Sequence, residues 1–119
     1  MKDFRIIYAD AEQNNLNAFI AYFRRKDFQI VTCLNSDDLY NEVSVAVPKL
    51  IVIDQKILER IGIEYFQKAQ ISIIALTANR SFESLELAYH KGEIVKYLCK
   101  PFEMEVLNEI IEDTFTSPE

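Results

Sequence analysis

Short apolar runs alternate along the chain with segments whose apolar residues recur at helical spacing. Phe4-Arg5-Ile6-Ile7-Tyr8-Ala9 is the first run, and Leu16, Phe19, Ile20 and Phe23 fall behind it at the spacing of one helix face. Phe28-Gln29-Ile30-Val31-Thr32-Cys33 is rich in β-branched and aromatic residues, so it predicts a second strand. Asn35-Ser36-Asp37 then supplies an N-cap for a helix through Leu39 and Val43, which Pro48 closes off. Leu50-Ile51-Val52-Ile53 is apolar at every position, as a central strand covered on both faces requires, and a short helix is expected near Gly62 to Lys68. Ile71 to Leu76 repeats the strand pattern. A helix through Leu85, Ala88 and Tyr89 stops at Gly92, a C′ glycine. Ile94 to Cys99 is the fifth strand, and apolar pairs at Val106/Leu107 and Ile110/Ile111 mark the last helix. Five strand–helix units predict a (βα)5 fold: a doubly wound, five-stranded parallel sheet with helices on both faces.

Composition narrows the class. The 119 residues suit one domain, 1–119, and 50% apolar with 27% charged residues is the balance of a globular protein. A formal net charge of −6 disfavours nucleic acid or an anionic membrane as partner, because both need a clustered basic face. No apolar run approaches the ~20 residues that cross a bilayer, and no leader pattern opens the chain, so a cytoplasmic protein is expected. Cys33 and Cys99 lie in apolar segments without metal-binding spacing and read as reduced core residues. His90, the single histidine, reads as a surface residue at a helix end.

Candidate chemistry sits where the fold puts ligands, beyond the carboxyl ends of the strands. Asp10 follows the first strand, Asp54 the third, Thr77 the fourth and Lys100 the fifth. Two carboxylates, a hydroxyl and an ammonium on one rim suit phosphoryl transfer, which needs a positioned nucleophile and charge neutralisation above all. Each residue also has a plainer use. Either aspartate can serve as a helix cap, and threonine is common at strand ends.

Ile51-Val52-Ile53-Asp54, Ala75-Leu76-Thr77-Ala78 and Tyr97-Leu98-Cys99-Lys100-Pro101-Phe102, in that order, resemble the motifs of response-regulator receiver domains. Ile6 to Glu12 with Asn14-Asn15-Leu16, and Gly62 with Glu64, are similar to the family's opening acidic cluster and to the stretch after its phosphoacceptor. The resemblance covers nearly the whole chain and implies a flavodoxin-like sheet of strand order 2-1-3-4-5. It further implies that Asp54 takes a phosphoryl group from a sensor histidine kinase or phosphotransfer protein. Lys100 would pair with a phosphoryl oxygen, and Thr77 would turn its hydroxyl toward the phosphoryl group while Tyr97 swings inward as the switch aromatic. Asp10, Asp54 and the backbone carbonyl of Lys56 would hold Mg2+. The face built from the fourth helix, fifth strand and last helix would bind a downstream target or fused output domain, or a second copy in a homodimer. Lys100-Pro101 matches a bond that is often cis in the family. Such a domain is a signalling module rather than an enzyme, beyond its own phosphorylation and dephosphorylation.

The chain also departs from the family. Ala11 stands where a second carboxylate usually supplies a direct Mg2+ ligand, and Glu12 could replace it only by turning back into the site. Leu58 replaces a proline, and the stretch from Asp54 to Thr77 is shorter than usual, so a reshaped loop is expected there. Lys56 could hold Asp54 as an ion pair without metal. These departures motivate the alternative of a degenerate receiver that binds partners without phosphorylation. An aspartate-nucleophile phosphatase or a flavodoxin relative fits less well: Asp54-Gln55-Lys56 lacks the phosphatases' second aspartate, and the acidic 10–15 stretch is unsuited to a flavin phosphate.

Overall fold

The computed structural model describes residues 4–26, 28–78 and 82–116. Its elements run β1 (Arg5–Ala9), α1 (Gln13–Phe23), β2 (Gln29–Cys33), α2 (Ser36–Val45), β3 (Leu50–Asp54), α3 (Gln55–Ile61), α4 (Ile63–Lys68), β4 (Ser72–Thr77), α5 (Glu83–His90), β5 (Lys96–Cys99) and α6 (Met104–Thr116). The strands form one parallel sheet in the order β2-β1-β3-β4-β5, the expected topology.

Strand alternation divides the core in two. Ile7, Ile51, Ile53 and Ile73 face one side and bury against Leu39 and Val43 of α2, Leu58 of α3, Phe66 of α4 and Leu85 of α5. Ile6, Tyr8, Leu50, Val52 and Ile74 face the other, against Leu16, Phe19 and Phe23 of α1 and Leu107 and Ile111 of α6. The central strands β1, β3 and β4 are covered on both faces, which is why they read as unbroken apolar runs.

Three expectations change. The stretch after Asp54 is helical from Gln55, so two short helices stand where a loop and one helix were expected. Asp54 caps α3 by accepting the Lys56 N–H at 3.0 Å, the residues that follow are good helix formers, and Ile57 and Leu58 are buried. Gly62 separates α3 from α4 at φ +95, a conformation that side chains other than hydrogen disfavour. Second, Cys99 is exposed, because it ends the edge strand β5, while Cys33 is buried beneath α2 and its thiol is pushed up to about 12, chiefly by burial. Third, Ile20 lies on the exposed margin of α1 rather than on its buried face. Gly92 closes α5 as expected: its N–H bonds the Tyr89 carbonyl and that of Glu93 the Ala88 carbonyl, the two bonds of a Schellman end. The Lys100-Pro101 bond is cis.

Among the described residues no helix is long and apolar enough to cross a membrane.

Candidate functional site

Sheet register builds the site. Ala9 pairs with Ile53, so the next residues up, Asp10 and Asp54, stand side by side on neighbouring strands. Asp54 pairs with Leu76 and Thr77 with Cys99, which sets Thr77 and Lys100 on the same rim. The Lys100 N–H donates to the Thr77 carbonyl at 2.8 Å and extends the β4–β5 ladder by one bond. The four residues line one open pocket, with Ala11, Glu12, Gln55, Lys56 and Pro101 around them.

Lys100 is the electrostatic centre of this pocket. Its ammonium donates to Asp10 Oδ2 at 2.8 Å and to Asp54 Oδ1 at 2.7 Å, bridging the two carboxylates. Burial alone would lower its pKa, but those two hydrogen bonds and the attendant negative charge outweigh it and raise the group above the ordinary lysine value. Asp10 is 1% exposed. Its Oδ1 accepts the Glu12 N–H at 3.1 Å, and its Oδ2 accepts from Asn15 Nδ2 at 3.0 Å as well as from Lys100. The Tyr8 hydroxyl lies 3.5 Å from the same Oδ2, and burial followed by that negative charge pushes the phenol well above its usual range. Asp54 is more open, with Oδ2 on the Lys56 N–H and Oδ1 on Lys100.

Thr77 is 1% exposed, and its hydroxyl donates to Gln55 Oε1 at 2.6 Å. Sequence reasoning missed Gln55. Its side chain meets Thr77 only because β3 and β4 are adjacent in the sheet, a neighbourhood no local pattern encodes. Tyr97 is partly buried on β5, with Phe82 at 5.4 Å and Tyr89 edge-on at 6.0 Å between ring centroids. It therefore packs beside α5, on the same margin of the molecule as Thr77 but outside the carboxylate cluster.

The Mg2+ expected from the resemblance does not fit this donor set. An octahedral ion needs about six oxygen ligands near 2.0–2.1 Å. Ala11 offers none. Lys56 lies in the first turn of α3, where helical geometry turns its carbonyl toward the C-terminal end of the helix, away from the Asp54 cap. Glu12 turns to Asn15, whose Nδ2 reaches it at 3.2 Å. The space between Asp10 and Asp54 is spanned by Lys100, and among the described residues no three His, Cys, Asp or Glu side chains are grouped to hold a metal. The ion pair anticipated for Lys56 also goes elsewhere: its backbone N–H, not its ammonium, meets Asp54, and the charge comes from Lys100.

Comparison with known proteins gives the family and supports the fold. The family model described as the response regulator receiver domain matches residues 6–112. No curated protein matches the chain significantly. A two-component response regulator from Clostridium difficile superposes with a TM-score of 0.81 at 17% identity, over 97% of this chain and 98% of that one. The BeF3-activated receiver domain of DrrB, a Thermotoga maritima OmpR/PhoB homologue, gives 0.78 at 20% identity, over 94% and 97%. A response regulator from Desulfuromonas acetoxidans gives 0.78 at 22% identity, over 94% and 96%. At such identities the superpositions speak for the fold alone.

Proposed function

The chain belongs to the response regulator receiver domain family, and from that premise we propose that Asp54 is a phosphoacceptor through which a histidine kinase or phosphotransfer protein switches a protein-binding face. Receiver domains are signalling domains, generally not enzymes, and phosphorylation by a histidine kinase is general in the family. One observation carries the assignment to Asp54. It ends a central strand in an open pocket with one carboxylate oxygen 2.7 Å from a lysine ammonium, so a nucleophile and a charge-neutralising cation are already in contact.

In this reading an Asp54 oxygen attacks the phosphorus of a phosphohistidine in line. The new P–O bond forms as the P–N bond breaks, and the imidazole leaves with the bonding pair. Lys100 shifts from the carboxylates to a phosphoryl oxygen, and the Thr77 hydroxyl turns from Gln55 to another. Tyr97 then swings inward from its resting place beside Phe82 and Tyr89, altering the face made by α5, β5 and α6, where a downstream target, an output domain or a second copy docks. The module works in the cytoplasm. Receiver domains generally bind Mg2+ at the phosphorylation site; here the resting cation among the carboxylates is Lys100, and Asp10 anchors it.

A small phosphodonor such as acetyl phosphate tests the acceptor, with intact mass as the readout. The wild-type chain gains one phosphoryl group, and Asp54→Asn gains none. Asparagine is as good a helix cap as aspartate, so α3 and the fold survive the change. Labelling retained in Asp54→Asn would move the acceptor elsewhere.

The Lys100 bridge, together with the poor metal fit, favours a second reading: a receiver that binds its partner without phosphorylation. It predicts no labelling of the wild type and partner binding indifferent to Asp54→Asn. Stoichiometric labelling at Asp54 would eliminate it.

A further inference from the structure

Gln55 joins three elements through one side chain. Its Oε1 accepts the Thr77 hydroxyl at 2.6 Å from the end of β4, and its Nε2 donates to Glu59 Oε2 at 3.1 Å one turn along α3. The same Nε2 lies 3.4 Å from Ser84 Oγ in the first turn of α5. A hydroxyl carries one proton, so the Thr77 donor cannot serve Gln55 and a group on Asp54 together. The bond is short and Thr77 is buried, where water competes poorly for the proton.

Local geometry makes the contact. Asp54 ends β3 as the cap of α3, so Gln55 is the first residue of that helix and its side chain leaves toward β4. In a chain where this stretch was an extended loop, no residue would be fixed at that point. The early start of α3 and the Thr77–Gln55 bond are thus one feature.

We propose that Gln55 is a positioning residue that latches Thr77 in the resting orientation. Thr77 must leave Gln55 before it can donate to a phosphoryl group on Asp54, and this release loosens the Gln55 tie to α5. The inference rests on the phosphoacceptor reading of Asp54 and names what sets the resting state of that site.

The test compares wild type with Gln55→Met, which keeps length and helix propensity but offers Thr77 only a weak thioether acceptor in place of the amide oxygen, and with Ser84→Ala, which spares the Thr77 bond. Beryllofluoride in millimolar Mg2+ is titrated into each full chain and followed by NMR at the Thr77 methyl, the Tyr97 ring and the Gln55 side-chain amide. Gln55→Met is expected to bind about two- to tenfold tighter, the weight of one neutral hydrogen bond, while Ser84→Ala stays within about twofold of wild type. The wild-type Gln55 amide resonances move on saturation. Binding by Gln55→Met but not by wild type would also support the latch, as a lock on the resting site. Equal or weaker binding by Gln55→Met, or wild-type amide resonances that stay put at saturation, would overturn the latch and leave the phosphoacceptor reading intact. Silence from all three chains would overturn that reading and the latch together. Thermal unfolding of Gln55→Met confirms that a folded chain is being compared.

Discussion

At Lys100, burial and charge pull the ammonium in opposite directions, and the two carboxylates win. The sign of the consequence follows from linkage. A pKa raised in the folded state stabilises the protein fully below the unfolded lysine value of about 10.4, and that contribution is lost as pH rises through the folded value. Lys100→Met should cost roughly 1–3 kcal/mol at neutral pH, the weight of hydrogen bonds to charged groups, since it leaves Asp10 buried beside Asp54 without its cation. Its deficit against wild type should shrink as pH rises above about 10.4, where the lysine of the unfolded chain discharges, and vanish above the higher folded value. Denaturant unfolding of both chains at neutral and alkaline pH measures this, and a deficit independent of pH would refute the bridge as a stabilising contact.

Ala11 makes the complementary case. With one carboxylate missing and Lys100 between the other two, wild type should give no saturable NMR response to millimolar Mg2+, whereas Ala11→Asp should acquire one at Asp10 and Asp54. Saturable binding by wild type would show that Lys100 yields to the ion. Both residues were legible in the sequence, Lys100 from its place after the fifth strand and Ala11 from its departure from the family pattern. That Lys100 bridges both carboxylates was not, because the bridge depends on the β1–β3 register.

At the scale of elements, the central strands β1, β3 and β4 were visible because burial on both faces leaves few polar positions to interrupt them, and all five strands were placed to within a residue or two. The helix α3 was not, although its signals are present: Asp54 as cap, then Gln55, Lys56, Leu58, Glu59 and Arg60, all good helix formers. The family resemblance implies a loop after Asp54, and without a long run of spaced apolar residues the short helix has only these propensities to mark it. Gly62 is where the chain leaves that helix, at φ +95 and ψ 143, with nothing within 4 Å of where a Cβ would sit. A substitution there meets no steric neighbour, so its whole cost lies in the backbone. Gly62→Ala should destabilise by about 1–3 kcal/mol. The urea midpoint should fall with an unchanged slope, because the surface exposed on unfolding is the same. A midpoint equal to wild type would mean that the α3–α4 junction relaxes freely.

Across the whole molecule, the alternation of strands and helices established the layers, but strand order came from the family resemblance: the same five units could be wound in other orders without changing any local pattern. That order matters to function because β3 stands between β1 and β4, so Asp54 lies beside Asp10 on one side and near Thr77 on the other. The far side of β4 leads to β5 and α5, where Leu85 and Ala88 are the buried residues of an eight-residue helix. Elements with so little buried surface open locally at low cost, so they are where occupancy of the site should be felt first. Gln55 reaches Ser84 in α5, and Tyr97 packs between Phe82 and Tyr89, whereas α1 and α2 pack beside β2 at the opposite edge of the sheet. Hydrogen exchange with and without saturating beryllofluoride should therefore change at the amides of α5 and β5. Amides of α1 and α2 that exchange by local opening should keep their rates. Slowly exchanging core amides will slow in any case, because a ligand that binds only the folded chain raises its global stability. If the locally opening amides of α1 and α2 responded as strongly as those of α5, the site would be coupled to the molecule as a whole and not to the α5–β5–α6 face.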